Sequence, residues 1–118
     1  MAEERWPLLA NLIASYFNED YEVLFGSLSG AFSAAARDGP LERRRAILKE
    51  WRDWNAAEGA KDELRPFLKD GFGVRVLLRR PVDARDLMNR LYDEILVVVK
   101  AETGSKSGVT EISKDVRA

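Results

Sequence analysis

The sequence predicts one all-α domain, a bundle-like arrangement of about five helices. The chain has 118 residues, a length that usually makes one domain and buries enough apolar surface to fold without disulfides. In several segments of helical length, apolar residues recur at spacings of three and four. The connections between these segments are brief and no internal repeat is present, as in a helical bundle. We assign residues 1–101 to this domain.

The first predicted helix lies between Trp6 and Phe17. Pro7 suits its first turn, where the missing N–H would be unpaired in any case. The helix ends at residues 18–20, because Asn and Asp readily bond their own backbone in turns, and we expect the Asp20 carboxylate to cap the segment that follows. The apolar residues of this helix fall on two adjacent rows of one face: Leu8, Leu9, Leu12, Ile13, Tyr16 and Phe17.

The next two helices are predicted over residues 28–37 and 41–57. Ser27 is a suitable N-cap for the first of them, which should turn Leu28, Phe32 and Ala35 inward. The second has the clearest apolar stripe in the chain: Ile47, Trp51 and Trp54. Two indoles on one helical face indicate the centre of the core.

Three consecutive basic residues, Arg43, Arg44 and Arg45, fall in the second turn of that helix. They resemble a nucleic-acid patch, but successive helical residues point about 100° apart and cannot share one face. We therefore expect these side chains to be solvated or to form ion pairs within the molecule.

The second half of the domain is predicted to hold a short helix over 62–69, with Pro66 in its first turn, and a final helix from Asp83 to about residue 100. Residues 74–80 between them are β-branched in part and are expected to form an extended linker. The alternative is a small hairpin-like annex in which they pair with residues 97–99. Residues 102–118 are polar and without periodicity, so we predict a disordered tail.

The chemistry open to the chain is limited, since it contains neither cysteine nor histidine. Thiol nucleophiles, Zn-thiolate sites and the usual neutral-pH general base are therefore excluded. We expect no catalysis, no metal and no cofactor. The apolar run 8–17 is too short and too interrupted to span a bilayer, so we expect a cytoplasmic protein. We also expect the free chain to be a monomer.

Charge is unevenly distributed along the chain. Residues 1–30 carry five acids and one base, so they contribute −4 to a net charge of −1, and the remaining residues contribute +3. An electrostatic partner should therefore prefer one side of the molecule. Two groups of acids are the candidate partner-binding residues: Glu19, Asp20 and Glu22, and also Glu58, Asp62 and Glu63.

Two other interpretations apply to the first acidic group. One is an acid–base pair of Glu19 and Asp20, but adjacent residues in a turn usually diverge and stay solvated. A hard-cation site on Glu19, Asp20 and Glu22 has oxygen ligands at short spacing, although the glycine pattern of a calcium loop is absent.

Nucleic-acid binding is the alternative from another functional class. It would use three basic residues near Phe72, namely Arg75, Arg79 and Arg80. The near-zero net charge supplies little neutralisation of phosphates, so nucleic acid is not the expected partner. Gly71 and Gly73 lack the full pattern of a phosphate-binding loop.

Residues 6–21 resemble the opening of a family of small helical immunity proteins from bacterial contact-dependent growth inhibition systems. The departures are Asn18 and Glu19, where the family often has His and Gln. The predicted helices fit the family's layout over about residues 5–100, but specific matches end at Tyr21. Those matches are Trp6, Pro7, Leu8, Tyr16, Phe17, Asp20 and the aromatic Tyr21.

This resemblance implies a non-catalytic inhibitor that binds and neutralises a toxin domain in a one-to-one complex. Toxins of these systems are frequently nucleases, whose basic phosphate-binding groove suits an acidic partner. It also implies that Tyr16, Phe17 and Tyr21 are core and turn residues, while the acids between them can face the toxin.

Overall fold

The chain folds into helices joined by short turns, and the all-α prediction is confirmed. The computed structural model describes residues 2–107, and these contain six α-helices, one π-helical turn and no strand. The helices are α1 (Ala2–Arg5), α2 (Pro7–Tyr16), α3 (Tyr21–Phe25), α4 (Leu28–Ala36), α5 (Leu41–Ala57) and α6 (Pro81–Ser107), with the π-helical turn at Phe67–Gly71. Two of the six, α1 and α3, were not predicted.

The core lies where α2, α4, α5 and α6 meet. Helix α5 packs on α2 and α6, while α4 packs on α6 and α2. The rings of Trp6, Trp54, Phe67 and Phe72 form an aromatic cluster with centroids 5.3–6.5 Å apart. The N-terminal segment, helix α5 and the π-helical turn are thus held together by apolar burial.

Both indoles of α5 are buried, as predicted. The ring of Trp51 lies 4.5 Å from that of Tyr92, and its Nε1 donates to the Met88 carbonyl at 2.9 Å. The Nε1 of Trp54 has no hydrogen-bond partner in the described part of the chain. Trp51 therefore joins α5 to α6 by packing and by a polar contact.

Helix α2 starts at Pro7, which lacks the N–H that would be unpaired there. The side chain of Trp6, the N-cap residue of α2, makes no capping hydrogen bond to the helix. Instead, Glu50 on α5 accepts a hydrogen bond from the Leu9 N–H at 2.9 Å. A carboxylate from a packed helix therefore caps the positive end of α2.

Helix α6 is longer at both ends than the sequence indicated. It starts at Pro81, and Asp83 reaches back to accept from the N–H groups of Arg79 and Arg80 at 3.1 and 2.9 Å. At the other end it continues through Ser107. Residues 102–107 were predicted to be disordered and are helical; residues 108–118 lie outside the described residues.

An ion pair explains why the helix continues past residue 101. Two guanidinium nitrogens of Arg44 bond the Glu102 carboxylate at 2.6 and 2.9 Å, and the Arg44 Nε bonds the Gly39 carbonyl. The side chain of Arg44 is only 7% exposed, whereas that of Glu102 is 42% exposed. The hydrogen bonds that Arg44 donates to the Glu102 carboxylate raise the pKa of Arg44. A buried charge is thus satisfied by a residue that the sequence had placed in the tail.

The side chains of residues 43–45 point into three different environments, as expected. Arg43 pairs with Asp38 at 2.9 Å, Arg44 points inward to Glu102, and Arg45 is exposed. The prediction of separate environments rather than one basic face is confirmed.

The segment between α5 and α6 differs from the predicted helix over 62–69. Helical turns begin only at Arg65 and continue as the π-helical turn, where the Phe72 N–H bonds the Phe67 carbonyl. The start is delayed because the Glu63 carboxylate accepts from the Arg65 N–H at 3.1 Å, which makes a local turn.

Residues 74–80 form the expected linker, which contains neither helix nor strand; it is not continuously extended, because the chain bends at Val76 and at Arg80. Val74 is buried, and the Arg75 N–H donates to the Phe17 carbonyl at 2.8 Å. The hairpin alternative is excluded, because residues 97–99 belong to α6.

Candidate partner-binding surface

The first acidic group surrounds α3, a five-residue helix with no buried residue. We name the α3 surface after its five outward residues: Glu19, Asp20, Glu22, Val23 and Leu24. Residues 22–24 are consecutive and point about 100° apart, so this surface wraps around the short helix and is not a single face. All five are exposed, with Val23 at 86% and Leu24 at 59%. Neighbouring exposed apolar side chains can form part of an interaction site.

Local hydrogen bonds fix the start of this surface. The Asn18 amide donates to the Ala14 and Ser15 carbonyls at 3.2 Å, and its Oδ1 accepts from the Asp20 N–H at 2.9 Å. Asn18 therefore makes the turn. The expectation that the Asp20 carboxylate caps the next segment is wrong, since it makes no capping bond and only the Asp20 carbonyl contacts α3, through the Leu24 N–H.

The other end of α3 is held by Gly26, whose φ of 82° favours glycine. Its N–H donates to the Glu22 carbonyl at 2.9 Å, and Ser27 then caps α4 by accepting from the Gly30 N–H. The rings of Tyr16 and Phe25 pack 4.9 Å apart beneath the helix. The outward residues therefore sit on a supported turn of helix.

Tyr16, Phe17 and Tyr21 have the structural roles expected of them. Phe17 is fully buried against Phe32, while the two tyrosines are half-buried on the core. Burial and the negative charge of Asp38 raise the pKa of Tyr16 above its ordinary value of 10.0.

The carboxylates of Glu19, Asp20 and Glu22 form no ion pair and accept no hydrogen bond within the described residues. In the same part of the chain, no three acidic residues are grouped so that they could hold a metal ion. This finding argues against the hard-cation interpretation of the α3 acids.

The second acidic group is mostly engaged inside the molecule. Glu58 pairs with Lys61 and, at 3.4 Å, with Arg5; the hydrogen bond from Lys61 and these cations lower its pKa. Glu63 accepts from the Arg65 Nε at 2.9 Å, and this contact lowers its pKa. Asp62 alone among the three is exposed without such a contact.

Sequence reasoning missed a further acidic face on α6. Asp86, Asp93 and Glu94 line a shallow surface groove of about 440 Å³ together with Asn89, Arg90 and Val97. Their spacing of seven and eight residues could have revealed it, because such residues share a helical face. Arg90 partly neutralises this face through its 3.2 Å contact with Glu94.

No helix in the described part of the chain is long and apolar enough to cross a membrane. Comparison of the chain with protein-family models, curated proteins and solved structures finds no match.

Proposed function

We propose that this chain is an immunity protein that binds and neutralises a cognate toxin domain of a contact-dependent growth inhibition system. The complex is one-to-one and non-catalytic, and the toxin is a nuclease. Support for a binding role comes from the α3 surface, and support for the toxin comes from the resemblance of residues 6–21 to the immunity family.

The observation that carries the binding role is the combination of free acids with exposed apolar side chains on α3. Interfaces commonly have an apolar centre that is dried on binding and a charged rim that stays near water. Val23 and Leu24 are suited to the centre, and Glu19 and Glu22 are suited to the rim.

A nuclease is a suitable partner for such a surface on electrostatic grounds. Its substrate groove must be basic to hold phosphates, so it attracts a surface whose carboxylates have no internal cations. The acids at Glu58 and Glu63 are less available, because each already has an intramolecular partner. Glu19, Asp20 and Glu22 are therefore the main proposed contacts, and Asp62 is the most accessible of the second group.

The test starts from the neighbouring reading frame, where the proposal predicts a cognate toxin domain. Purified toxin and immunity chain should form a one-to-one complex, and the chain should abolish nuclease activity without itself altering any nucleic acid. We expect the double variant Glu19→Lys, Glu22→Lys to associate more slowly and with less salt dependence, since rim charges act mainly on the association rate.

The control is Glu42→Lys, Asp70→Lys, which makes the same change in net charge at two exposed acids elsewhere. Circular dichroism checks that both variants fold. If the α3 variant and the control associate at the same rate at low and high salt, the toxin does not bind at α3.

The alternative, a nucleic-acid-binding adaptor, is tested in the same preparation. Steep, salt-sensitive retention of the free chain on immobilised nucleic acid would favour it. Arg80, one of its three proposed contacts, is already paired with Asp83 at 2.8 Å.

A further inference from the structure

A groove lies between the π-helical turn and the linker that follows it, and we call it the linker groove. Its volume is about 310 Å³, at the lower end of the range for small-molecule sites, about 300–1,000 Å³. Four of its seven lining residues are apolar, at positions 74 and 76–78, and the other three are Arg65, Lys69 and Arg75. The linker groove therefore joins apolar surface to positive charge, and no acid lines it.

The backbone around the linker groove is irregular and yet held in place. π-Helical turns are rare and occur frequently at functional sites. The Val74 N–H of the linker donates to the Leu68 carbonyl of the turn at 3.0 Å. Arg65 also joins the two sides, because its Nη1 donates to the Arg79 carbonyl at 2.7 Å. The groove is thus built into the fold, and a ligand would not have to order it.

The linker supplies the apolar lining. Successive side chains of a straight strand point to opposite faces. Here the chain bends at Val76, and the consecutive residues Val76, Leu77 and Leu78 all border the groove. Leu77 is 70% exposed. A ligand in the linker groove would therefore remove apolar surface from water.

Two cations of the linker groove have no acidic partner among the described residues. Lys69 is exposed and forms no ion pair there, and the Arg75 guanidinium makes only a 3.4 Å contact with the Lys69 carbonyl. That contact places both cations in the same part of the groove. Arg65 differs, because its Nε and Nη2 already bond the Glu63 carboxylate. Asp70 follows Lys69 in the chain but does not line the groove.

We propose that the linker groove binds a small amphiphilic anion, a carboxylate on an aliphatic chain. The carboxylate accepts hydrogen bonds from Lys69 and Arg75, which are stronger than bonds between neutral groups. The aliphatic chain covers Leu77 and its apolar neighbours. The inference goes beyond the proposed function, since it holds whether or not the α3 surface binds a toxin.

Other occupants complement the linker groove less well. Binding of single-stranded nucleic acid commonly adds stacked aromatic rings to the cations, but the nearby ring of Phe72 is buried. Inorganic phosphate would leave the apolar lining in water. A second groove borders the same apolar residues on the side of α6, and it contains Asp83 and Asp86. These acids repel an anion, so the amphiphile selects the linker groove.

The experiment titrates the full chain, labelled with ¹⁵N, with sodium decanoate below its micelle concentration and follows the amide chemical shifts. We expect saturable one-to-one binding with shift changes concentrated at residue 69 and at residues 74–78. Octanoate is shorter by two methylenes and should bind about fourfold to fifteenfold more weakly. Acetate should not bind. Decyltrimethylammonium, an amphiphile of the opposite charge, should bind more than about tenfold more weakly than decanoate.

Variants of the chain test the assigned residues. Lys69→Glu, Arg75→Glu should weaken decanoate binding by more than about tenfold and bind decyltrimethylammonium more tightly than the parent does. That gain also shows that the variant is folded. The matched control is Arg45→Glu, Lys100→Glu, which reverses two exposed cations elsewhere and should bind decanoate as the parent does. Leu77→Ser should reduce the difference between decanoate and octanoate and leave the charge preference unchanged.

Several results would overturn the proposal. Absence of saturable decanoate binding, or shift changes confined to other parts of the chain, would remove the site. Equal binding of decanoate and decyltrimethylammonium would show unspecific adsorption of an amphiphile. Tighter binding of a single-stranded oligonucleotide at the same residues would assign the linker groove to nucleic acid. Self-association that Lys69→Glu, Arg75→Glu abolishes would assign it to a second copy of the chain.

Discussion

Helices α5 and α3 show how differently two helical segments of one chain can be used. Helix α5 buries Ile47, Leu48, Trp51 and Trp54, and it contacts both α2 and α6. Helix α3 buries none of its residues and leaves Val23 and Leu24 in solvent. If α3 binds a partner as proposed, substitutions in α5 should change mainly stability, and substitutions at the exposed residues of α3 should change mainly binding.

The largest effect on stability is expected from Trp51→Ala. This change removes a buried ring and its hydrogen bond to Met88, and it should lower the free energy of unfolding by about 3 to 5 kcal/mol. Urea denaturation followed by circular dichroism measures it. Trp51→Phe should lower the free energy of unfolding by more than Trp54→Phe does, because the Trp54 N–H has no hydrogen-bond partner to lose in the described residues. A neutral Trp51→Ala would contradict the assignment of α5 as the main core helix.

A smaller loss is expected from Glu102→Ala. It leaves the buried Arg44 guanidinium without its carboxylate, and because Glu102 is partly exposed we expect about 1 to 3 kcal/mol rather than the full cost of a buried pair. Glu94→Ala is the matched control on the same helix, since its exposed pair with Arg90 should contribute less than about 0.5 kcal/mol. Equal losses in the two variants would mean that the Arg44 pair adds no more than a surface contact.

Chains shortened at the C-terminus test the same contact. A chain ending at Ala101 should melt at a lower temperature than one ending at Ser107, because it lacks the Glu102 partner of Arg44. Equal melting temperatures would mean that residues 102–107 contribute nothing to folding, as expected of a disordered tail.

Helices α5 and α3 also show how much of the fold could be predicted from the sequence. Periodicity was sufficient for α5, because Ile47, Trp51 and Trp54 mark one face over a long helix. It was insufficient for α3, whose five residues are fewer than two helical turns and follow an apparent helix end. The pair Arg44–Glu102 joins residues 58 positions apart, and local patterns carry no information about such a contact.

The candidate site was predicted in part. Both acidic groups look alike as sequence, and only the packing of Arg5, Lys61 and Arg65 beside Glu58 and Glu63 separates paired acids from free ones. Val23 and Leu24 were not singled out, because an apolar residue in a short segment looks the same whether it faces the core or the solvent.

The paired acids predict that stability depends on pH. Glu58 and Glu63 have pKa values below the ordinary 4.5, and Asp83 lies below 3.8 through its bonds from Arg80. In this range the unfolded chain binds more protons than the folded one, so the stability from these contacts is present above the ordinary pKa values and is lost as pH falls below them. The raised pKa of Tyr16 acts in the opposite direction, with stability lost as pH rises through 10.0.

Stability should therefore be constant between about pH 6 and 9, where no histidine titrates. Chemical denaturation across pH measures this profile. Glu58→Gln, Glu63→Gln should make the loss below pH 4.5 shallower. An unchanged slope in this variant would mean that the contacts of Glu58 and Glu63 contribute nothing to acid stability.

The smallest effect on folding is expected from Val23→Ser on α3. Because Val23 is 86% exposed, the free energy of unfolding should change by less than about 0.5 kcal/mol. Val99→Ser is the control: it makes the same change at a buried position of α6. It should lower the free energy of unfolding by about 1 to 3 kcal/mol, since it removes apolar contacts and buries a hydroxyl.

Binding to the toxin domain should show the reverse order. Val23→Ser should speed dissociation, because a central apolar contact acts on the lifetime of the complex. Val99→Ser should leave the dissociation rate of the folded protein unchanged. A Val23 variant that binds like the parent would remove the apolar centre from the proposed interface, and the acids of α3 would then act only by steering. A Val23 variant that unfolds as readily as the Val99 variant would instead show that α3 contributes to the core, and the division between a folding helix and a binding helix would fail.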